Sequence, residues 1–232
     1  MTLPTPVVFL ALTCLGFLPC LSSGQEILET FEPIHTEHFL TPIPNKNTEV
    51  RDGVLWTRGS SGDKYPPMVY LGVQGADMTI SFRYRHLQPG GWLWFFVDGD
   101  DGFGSTDHML RVKLLRTGIQ LQVDGHSKDP AHPQRQMKRE ADAVSGAYRL
   151  NEILPPKPLP LEENVWHEVK LTFQADTMNL HLDGKLHAEA LKRPGFKGAK
   201  HKLLWMQNGG EKGMELDDLR VSPLQTKNQA NH

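Results

Sequence analysis

The stretch MTISFRYR, residues 78–85, decides the fold, because its side chains alternate in character from one residue to the next. Ile80, Phe82 and Tyr84 fall on one face, whereas threonine, serine and arginine side chains fall on the other. A period of two with β-branched and aromatic residues is typical of a strand that buries one face. The stretch therefore predicts a half-buried β-strand.

Similar runs predict further strands along the chain. They cover residues 27–31, 54–57, 68–73, 109–115, 119–123, 167–173, 178–182, 203–206 and 214–221. Turn dipeptides separate the runs, and Asp183-Gly184 in particular supplies the positive φ angles of a tight hairpin. No stretch of the sequence shows sustained helical periodicity. About ten short strands with regular turns predict an all-β fold, an antiparallel β-sandwich or jelly roll.

The first 24 residues differ from the rest, because they contain no charged side chain. An apolar run, residues 7–18, is too short to cross a bilayer and is followed by Ser22-Ser23-Gly24, the kind of small residues found at a signal-peptidase site. We therefore expect a signal peptide over residues 1–24 and a secreted or periplasmic domain over residues 25–224. Because Cys14 and Cys20 both lie in the leader, apolar burial has to stabilise the exported domain without disulfides.

Charge and hydropathy exclude two classes of partner. The net charge is −2, without the basic excess that attracts nucleic acid, so we expect no nucleic-acid partner. No second apolar run approaches the roughly 20 residues of a membrane span, so we expect none in the mature chain.

Two polar segments interrupt or follow the strands. Residues 126–163 are polar and proline-rich, and a connection of that length is either an ordinary surface excursion or a lid over one face. Residues 225–232 are polar and predict a disordered tail.

The segment GWLWFFVD, residues 91–98, is apolar on both faces. Trp92 and Trp94 share one face. Apolar side chains on both faces are typical of a central strand that is covered on both sides. Exposed indoles would instead form a stacking surface for the apolar faces of sugar rings. Coverage by a loop such as residues 126–163 is the alternative. We expect four outward side chains near this segment to bind hydroxyl groups or an acidic sugar: Arg83, Arg85, Arg111 and Lys113.

Carboxylates cluster where this segment ends. Asp98 and Asp100 enter a glycine-rich turn that reaches Asp107 and His108, and clustered carboxylates on a turn suit calcium. The register of an EF-hand fails, because Phe103 stands where that loop requires glycine. A solvated turn whose aspartates bond their own backbone is the alternative.

The order of the segments resembles a known family. The carrying motifs are DGVLW at 52–56, MTISFRYR at 78–85, HMLRVKLLRTGIQLQVDG at 108–125, LPLEENVWHEVKLTFQADTMNLHLDGKLHAEA at 159–190 and ELDDLRV at 215–221. Together they resemble the concanavalin-like sandwich domains grouped with 3-keto-disaccharide hydrolases, over about residues 26–224. The resemblance implies a concanavalin-like jelly roll and hydrolysis of a glycosidic bond in a 3-keto sugar.

The chain lacks the carboxylate pair of a laminarinase-type glycosidase. Glu215 and Asp217 have the required spacing, but Leu219 and Arg220 stand where the second glutamate would be. A ketone acidifies the neighbouring C–H bond, so a single base can replace the two-carboxylate route by proton abstraction and elimination.

For that single-base chemistry we expect His108 as the base, Arg111 as the group that steadies the oxyanion, and the aspartates as ion ligands. Two alternatives are a non-catalytic module that binds a glycan or a cell surface, and a purely structural envelope protein.

Overall fold

A computed structural model describes residues 24, 26–32, 36–59, 66–100, 106–123, 152–159, 161–208 and 210–224 of the 232-residue chain. The strands in these residues are β1 Ile27–Glu29, β2 Thr48–Arg51, β3 Val54–Thr57, β4 Met68–Gly75, β5 Met78–His86, β6 Trp92–Asp100, β7 Thr106–Leu115, β8 Gly118–Val123, β9 Glu152–Ile153, β10 Lys157–Pro158, β11 His167–Gln174, β12 Thr177–Leu182, β13 Lys185–Lys192, β14 Lys200–Asn208 and β15 Met214–Pro223. Two short 3-10 helices span Thr36–His38 and Pro194–Lys197.

The strands form two antiparallel sheets. The first sheet has the order β13-β12-β11-β5-β15-β3-β2, with β1 also paired to β15. The second has the order β10-β8-β7-β6-β14-β4, with β9 also paired to β8. The predicted all-β antiparallel sandwich is confirmed.

Aromatic side chains from both sheets fill the core between them. Phe82 on β5 has its ring centroid 5.0 Å from that of Phe95 on β6 and 5.6 Å from that of Trp205 on β14. All three side chains are buried, as is Phe173 on β11. Burial of each such ring contributes about 2 kcal/mol. The core therefore lies between the sheets, where alternation predicts it.

The first and last strands pair with each other in the first sheet. Ile27 on β1 is opposite Val221 on β15, the pairing of first and last strands that the resemblance to concanavalin-like sandwiches implies. The observed strand is shorter than the predicted one, because β1 ends at Glu29 and Phe31 adopts a φ of 59°. The hairpin predicted at Asp183-Gly184 is confirmed, with φ angles of 50° and 72° that suit its tight turn.

Two interpretations of the sequence need correction. The strands Thr48–Arg51 and Lys185–Lys192 were not predicted, because both lie at sheet edges and lack strict apolar alternation. The end of the segment predicted as a long loop instead contains β9 and β10, which pair with the edge strand β8. The signal peptide apart from Gly24, residues 126–151 and 160 of that segment, and the polar tail lie outside the described residues.

A buried polar cluster sits at one end of the core. The ring of Tyr84 lies 5.6 Å from the ring of His86 and 5.7 Å from that of His167. Nδ1 of His167 is 2.8 Å from a carboxylate oxygen of Asp183, in the β12–β13 turn. Neither ring nitrogen of His86 has a hydrogen-bond partner among the described residues. Burial, and secondarily the charge of His167, lowers the pKa of His86 to about 4.

This cluster predicts acid sensitivity. Unfolding returns the pKa of His86 from about 4 to about 6.5, so the unfolded state binds more protons between these pH values and stability falls as pH drops through them. Between about pH 7 and pH 5 the loss from this residue is about 2 kcal/mol. We expect His86→Leu to flatten this part of the stability profile, measured by urea unfolding. The same substitution at the exposed His201 is the control, and an equally steep profile in both variants would contradict the assignment.

Candidate functional site

The central strand of the second sheet, β6, presents different faces to the core and to its outer side. Leu93, Phe95 and Val97 are fully buried in the core. Trp92 and Trp94 point the other way and are half-buried on the outer side. The strand is therefore apolar on both faces, as predicted, and on its outer face Phe96 and Asp98 are buried whereas the two tryptophans are partly exposed.

The two indoles form one stacked unit. Their ring centroids are 4.5 Å apart and their planes differ by 28°. Two cations of the neighbouring strand β7 lie over Trp94. The guanidinium carbon of Arg111 is 4.7 Å and Nζ of Lys113 is 4.9 Å from the centroid of that ring. Strand pairing explains this arrangement, because Lys113 lies opposite Trp94 and Arg111 lies opposite Phe96.

An acid–base pair lies further along the same face. Asp98, near the end of β6, contacts Nδ1 of His108 on β7 through Oδ1. The other oxygen, Oδ2, is 2.9 Å from Nζ of Lys202 on β14. The His108 ring packs against Phe96, with centroids 4.7 Å apart. We call the outer side of the second sheet at Trp92, Trp94, Asp98, His108, Arg111, Lys113 and Lys202 the aromatic face.

Electrostatics keep Asp98 ionised. Burial alone would raise its pKa, but hydrogen bonds and charges from His108 and Lys202 outweigh burial, so the pKa lies below its usual value. Burial also lowers the pKa of Arg111. Burial, followed by the nearby charge of Arg111, lowers the pKa of Lys113. The face thus combines an ionised carboxylate with cations that are partly withdrawn from water.

The expected calcium ligands are not gathered into a site in the described part of the chain, where no group of three or more histidine, cysteine, aspartate or glutamate side chains is placed to hold a metal. Asp98 already contacts His108 and Lys202, and the ammonium group of Lys202 would repel a divalent ion there. Asp100 is exposed, and the side chain of Asp107 is outside the described residues. The calcium site therefore stays a prediction, and we derive no chemistry through it.

The predicted sugar-binding arginines do not lie together with the tryptophans. Arg83 and Arg85 are on β5 in the first sheet, whereas Trp92 and Trp94 are on β6 in the second. The prediction that these four residues are neighbours is wrong, because the chain crosses between sheets from β5 to β6. Sequence alternation gives the face of a strand but not the sheet to which it belongs.

Acidic partners already hold the two arginines on the first sheet. Arg83 is 2.8 Å from Asp217 and 2.7 Å from Asp218, and Arg85 contacts Glu215. Both guanidinium groups also lie over the ring of Trp166, at 5.0 Å and 4.7 Å. The acidic motif Glu215–Asp217, excluded above as a catalytic pair, thus neutralises these arginines.

Sequence reasoning missed Lys202 of the aromatic face and Gln122 beside that face. Lys202 reaches Asp98 because β14 pairs with β6, a contact between segments about a hundred residues apart that no local pattern signals. Gln122 on β8 lies opposite Arg111, and its Oε1 is buried. Among the described residues Gln122 Oε1, Arg111 Nε and Trp94 Nε1 have no hydrogen-bond partner. Such atoms are usually satisfied by water or by a bound ligand.

Comparison with solved structures identifies the class of fold. A Crh5 transglycosylase in complex with NAG is 11% identical, and the alignment covers 88% of this chain and 85% of that one with a TM-score of 0.54. The metal-free carbohydrate recognition domain of Emp46p is 12% identical over 87% and 88%, with a TM-score of 0.49. An alginate lyase from Pseudomonas aeruginosa is 14% identical over 78% and 87%, with a TM-score of 0.47. The chain is a concanavalin-like β-sandwich.

No protein-family model matches the chain, and no curated protein matches it either. Membership of the 3-keto-disaccharide hydrolases therefore stays a prediction. Of the helices in the described residues, none has the length and apolar character needed to span a membrane.

The contacts of Asp98 predict a measurable contribution to stability. Asp98→Asn preserves the shape but removes the charge that faces Lys202, so we expect the free energy of unfolding near neutral pH to fall by about 2 kcal/mol. The measurement is urea unfolding. Glu49→Gln is the control, because Glu49 pairs with Arg51 in an exposed position where an ion pair contributes little. Equal stability of Asp98→Asn and the wild type would contradict the proposed pairing.

Proposed function

We propose that the aromatic face binds a carbohydrate and that His108, oriented by Asp98, acts on it as a general base. The observation that carries the proposal is the contact between Asp98 and His108 beside the stacked indoles of Trp92 and Trp94. Solved structures of similar fold include a transglycosylase and a carbohydrate recognition domain, which supports a sugar ligand in general but not a particular one.

The tryptophans supply binding. A half-buried indole presents a flat apolar surface, and sugar rings have an apolar face of C–H bonds that can stack on it. Trp92 and Trp94 are stacked on each other with a small angle between them, so a sugar ring would contact the ring surface that points away from the partner indole. Arg111 and Lys113 flank the Trp94 ring and supply hydrogen-bond donors toward ring substituents.

The Asp98–His108 pair supplies the base. Because Asp98 is ionised, it accepts a hydrogen bond from Nδ1–H of His108, which leaves Nε2 as the basic nitrogen. A carboxylate in this position also stabilises the imidazolium that forms when Nε2 takes a proton. Asp98 itself is engaged by His108 and Lys202, so it acts in orientation and not as a nucleophile.

With a 3-keto glycoside the reaction would begin at the carbon between the ketone and the anomeric carbon. Nε2 of His108 takes the proton from that carbon, and the electron pair first forms an enolate whose oxygen Arg111 stabilises. The enolate then expels the glycosidic oxygen as a double bond forms to the anomeric carbon, and the leaving oxygen takes up a proton from the imidazolium or from water. Water adds to the double bond, which completes hydrolysis without a second carboxylate.

The first test is turnover. We expect His108→Ala to lower the rate of product release from 3-keto-glucosides by at least about 100-fold, the usual contribution of a general base. His201→Ala is the matched control, since His201 is exposed on β14, next to Lys202. Unchanged turnover in His108→Ala would exclude the role as base. Assays with and without a chelator test the separate calcium prediction.

The second test is binding. We expect Trp94→Ala to weaken glycan binding at least about tenfold, measured by calorimetry, as for a central aromatic anchor. Trp166→Ala is the control, because Trp166 also lies beneath two arginines but on the first sheet. Binding that persists in both Trp92→Ala and Trp94→Ala would remove the stacking proposal.

Stacked indoles can also act without catalysis, so a non-catalytic glycan-binding module is the second candidate. Binding that depends on Trp94, with no turnover of 3-keto-glucosides, would select it.

A further inference from the structure

Tryptophan–cation clusters of similar geometry occur on opposite sides of the sandwich, and they differ in charge. On the first sheet Arg83 and Arg85 lie over Trp166, and on the second sheet Arg111 and Lys113 lie over Trp94. In each case two cations of one strand, two residues apart, cover one indole about 5 Å away.

The cluster on the first sheet is neutralised. Arg83 pairs with Asp217 and Asp218, and Arg85 pairs with Glu215. These acids come from β15, the strand next to β5. Both of its cations are therefore paired with carboxylates.

The cluster on the second sheet is not neutralised. Within the residues that the structure describes, neither Arg111 nor Lys113 forms an ion pair with a carboxylate. The side chains opposite them on β8 are Gln122 and Gln120, which carry no charge. The nearest ionised acid of the aromatic face, Asp98, is already paired with Lys202.

This arrangement is costly without a ligand. Burial disfavours the charged form of Arg111 and of Lys113, and the charge of Arg111 further disfavours that of Lys113. Contact with the Trp94 ring offsets some of this cost, because a cation–π interaction at a partly exposed site is weakly stabilising. Nε of Arg111 is also buried without a hydrogen-bond partner among the described residues. An anion between the two side chains would supply the missing charge and the missing acceptor.

We propose that the carbohydrate bound at the aromatic face is acidic, with a carboxylate or sulfate group held between Arg111 and Lys113 while its ring stacks on Trp94. This inference rests on the proposed function, because it assigns the chemical class of the sugar for the same site. A guanidinium group suits the paired oxygens of either anion, and the adjacent ammonium group adds a second charge. The indole selects a ligand with an apolar ring face, which a free inorganic anion lacks.

The experiment compares pairs of polymers that differ in charge. Titration of the full chain with polygalacturonate and with its methyl ester tests the carboxylate, and dextran sulfate with dextran tests the sulfate. We expect the acidic member of at least one pair to bind at least about tenfold more tightly than its neutral partner, in line with a charge-assisted hydrogen bond. Preference for polygalacturonate alone, for dextran sulfate alone or for both identifies the anion and supports the proposal.

Variants locate the effect. We expect Arg111→Gln and Lys113→Gln each to lower the preference for the acidic polymer, the ratio of its affinity to that of the neutral polymer, about tenfold. Lys170→Gln is the matched control, because Lys170 is an exposed lysine on β11 in the first sheet. An equal loss in the control would show that overall charge alone is responsible and would overturn the proposal.

The outcomes separate this inference from the proposed function. Neutral and acidic polymers bound equally, with binding lost in Trp94→Ala, would overturn the acidic sugar and leave the glycan site intact. Binding of none of the four polymers would overturn both. Tighter binding of single-stranded oligodeoxythymidine than of either acidic polymer would replace the sugar by a nucleic acid and overturn the proposal as well.

Discussion

Aromatic packing between the sheets is the interaction on which the other features depend. Phe82 of the first sheet meets Phe95 and Trp205 of the second, with centroid distances of 5.0 Å and 5.6 Å. Because side chains alternate along a strand, burying Phe95 forces Trp94 to the opposite face. The position of the aromatic face is thus a consequence of how the core is filled. A register shift of one residue in β6 would bury the tryptophans and expose Phe95.

Much of the fold was predictable from the sequence because period-two alternation is a local property. It identified the core side of β5 and the alternation of Trp94 with Phe95, and the order of motifs led to the pairing of β1 with β15. Edge strands escaped detection because solvent covers much of their surface, and β13 has no fully buried side chain. The assignment of β5 and β6 to different sheets also escaped, since it depends on contacts between distant segments.

The candidate site was predictable only where its residues are close in the sequence. Asp98 and His108 lie on β6 and β7, consecutive strands that pair antiparallel, so their association follows from the pairing of neighbouring segments. The sequence pointed to Asp98 as a calcium ligand, but its contacts with His108 and Lys202 could not be read from the sequence. Lys202 reaches this carboxylate only through the β6–β14 pairing, which contributes the second charge that holds Asp98 ionised.

The two tryptophan clusters show that residue type alone does not distinguish a structural site from a binding site. Arg85 over Trp166 and Arg111 over Trp94 have nearly the same cation–ring distance, 4.7 Å in both. The neighbouring strand makes the difference, because β15 supplies carboxylates to the first cluster whereas β8 supplies glutamines to the second. Contact between two cations and one indole is common to both clusters. Among the described residues, carboxylates balance the charge of the cluster on the first sheet but not that of the cluster on the second, and this difference, rather than the presence of aromatic residues, distinguishes the two.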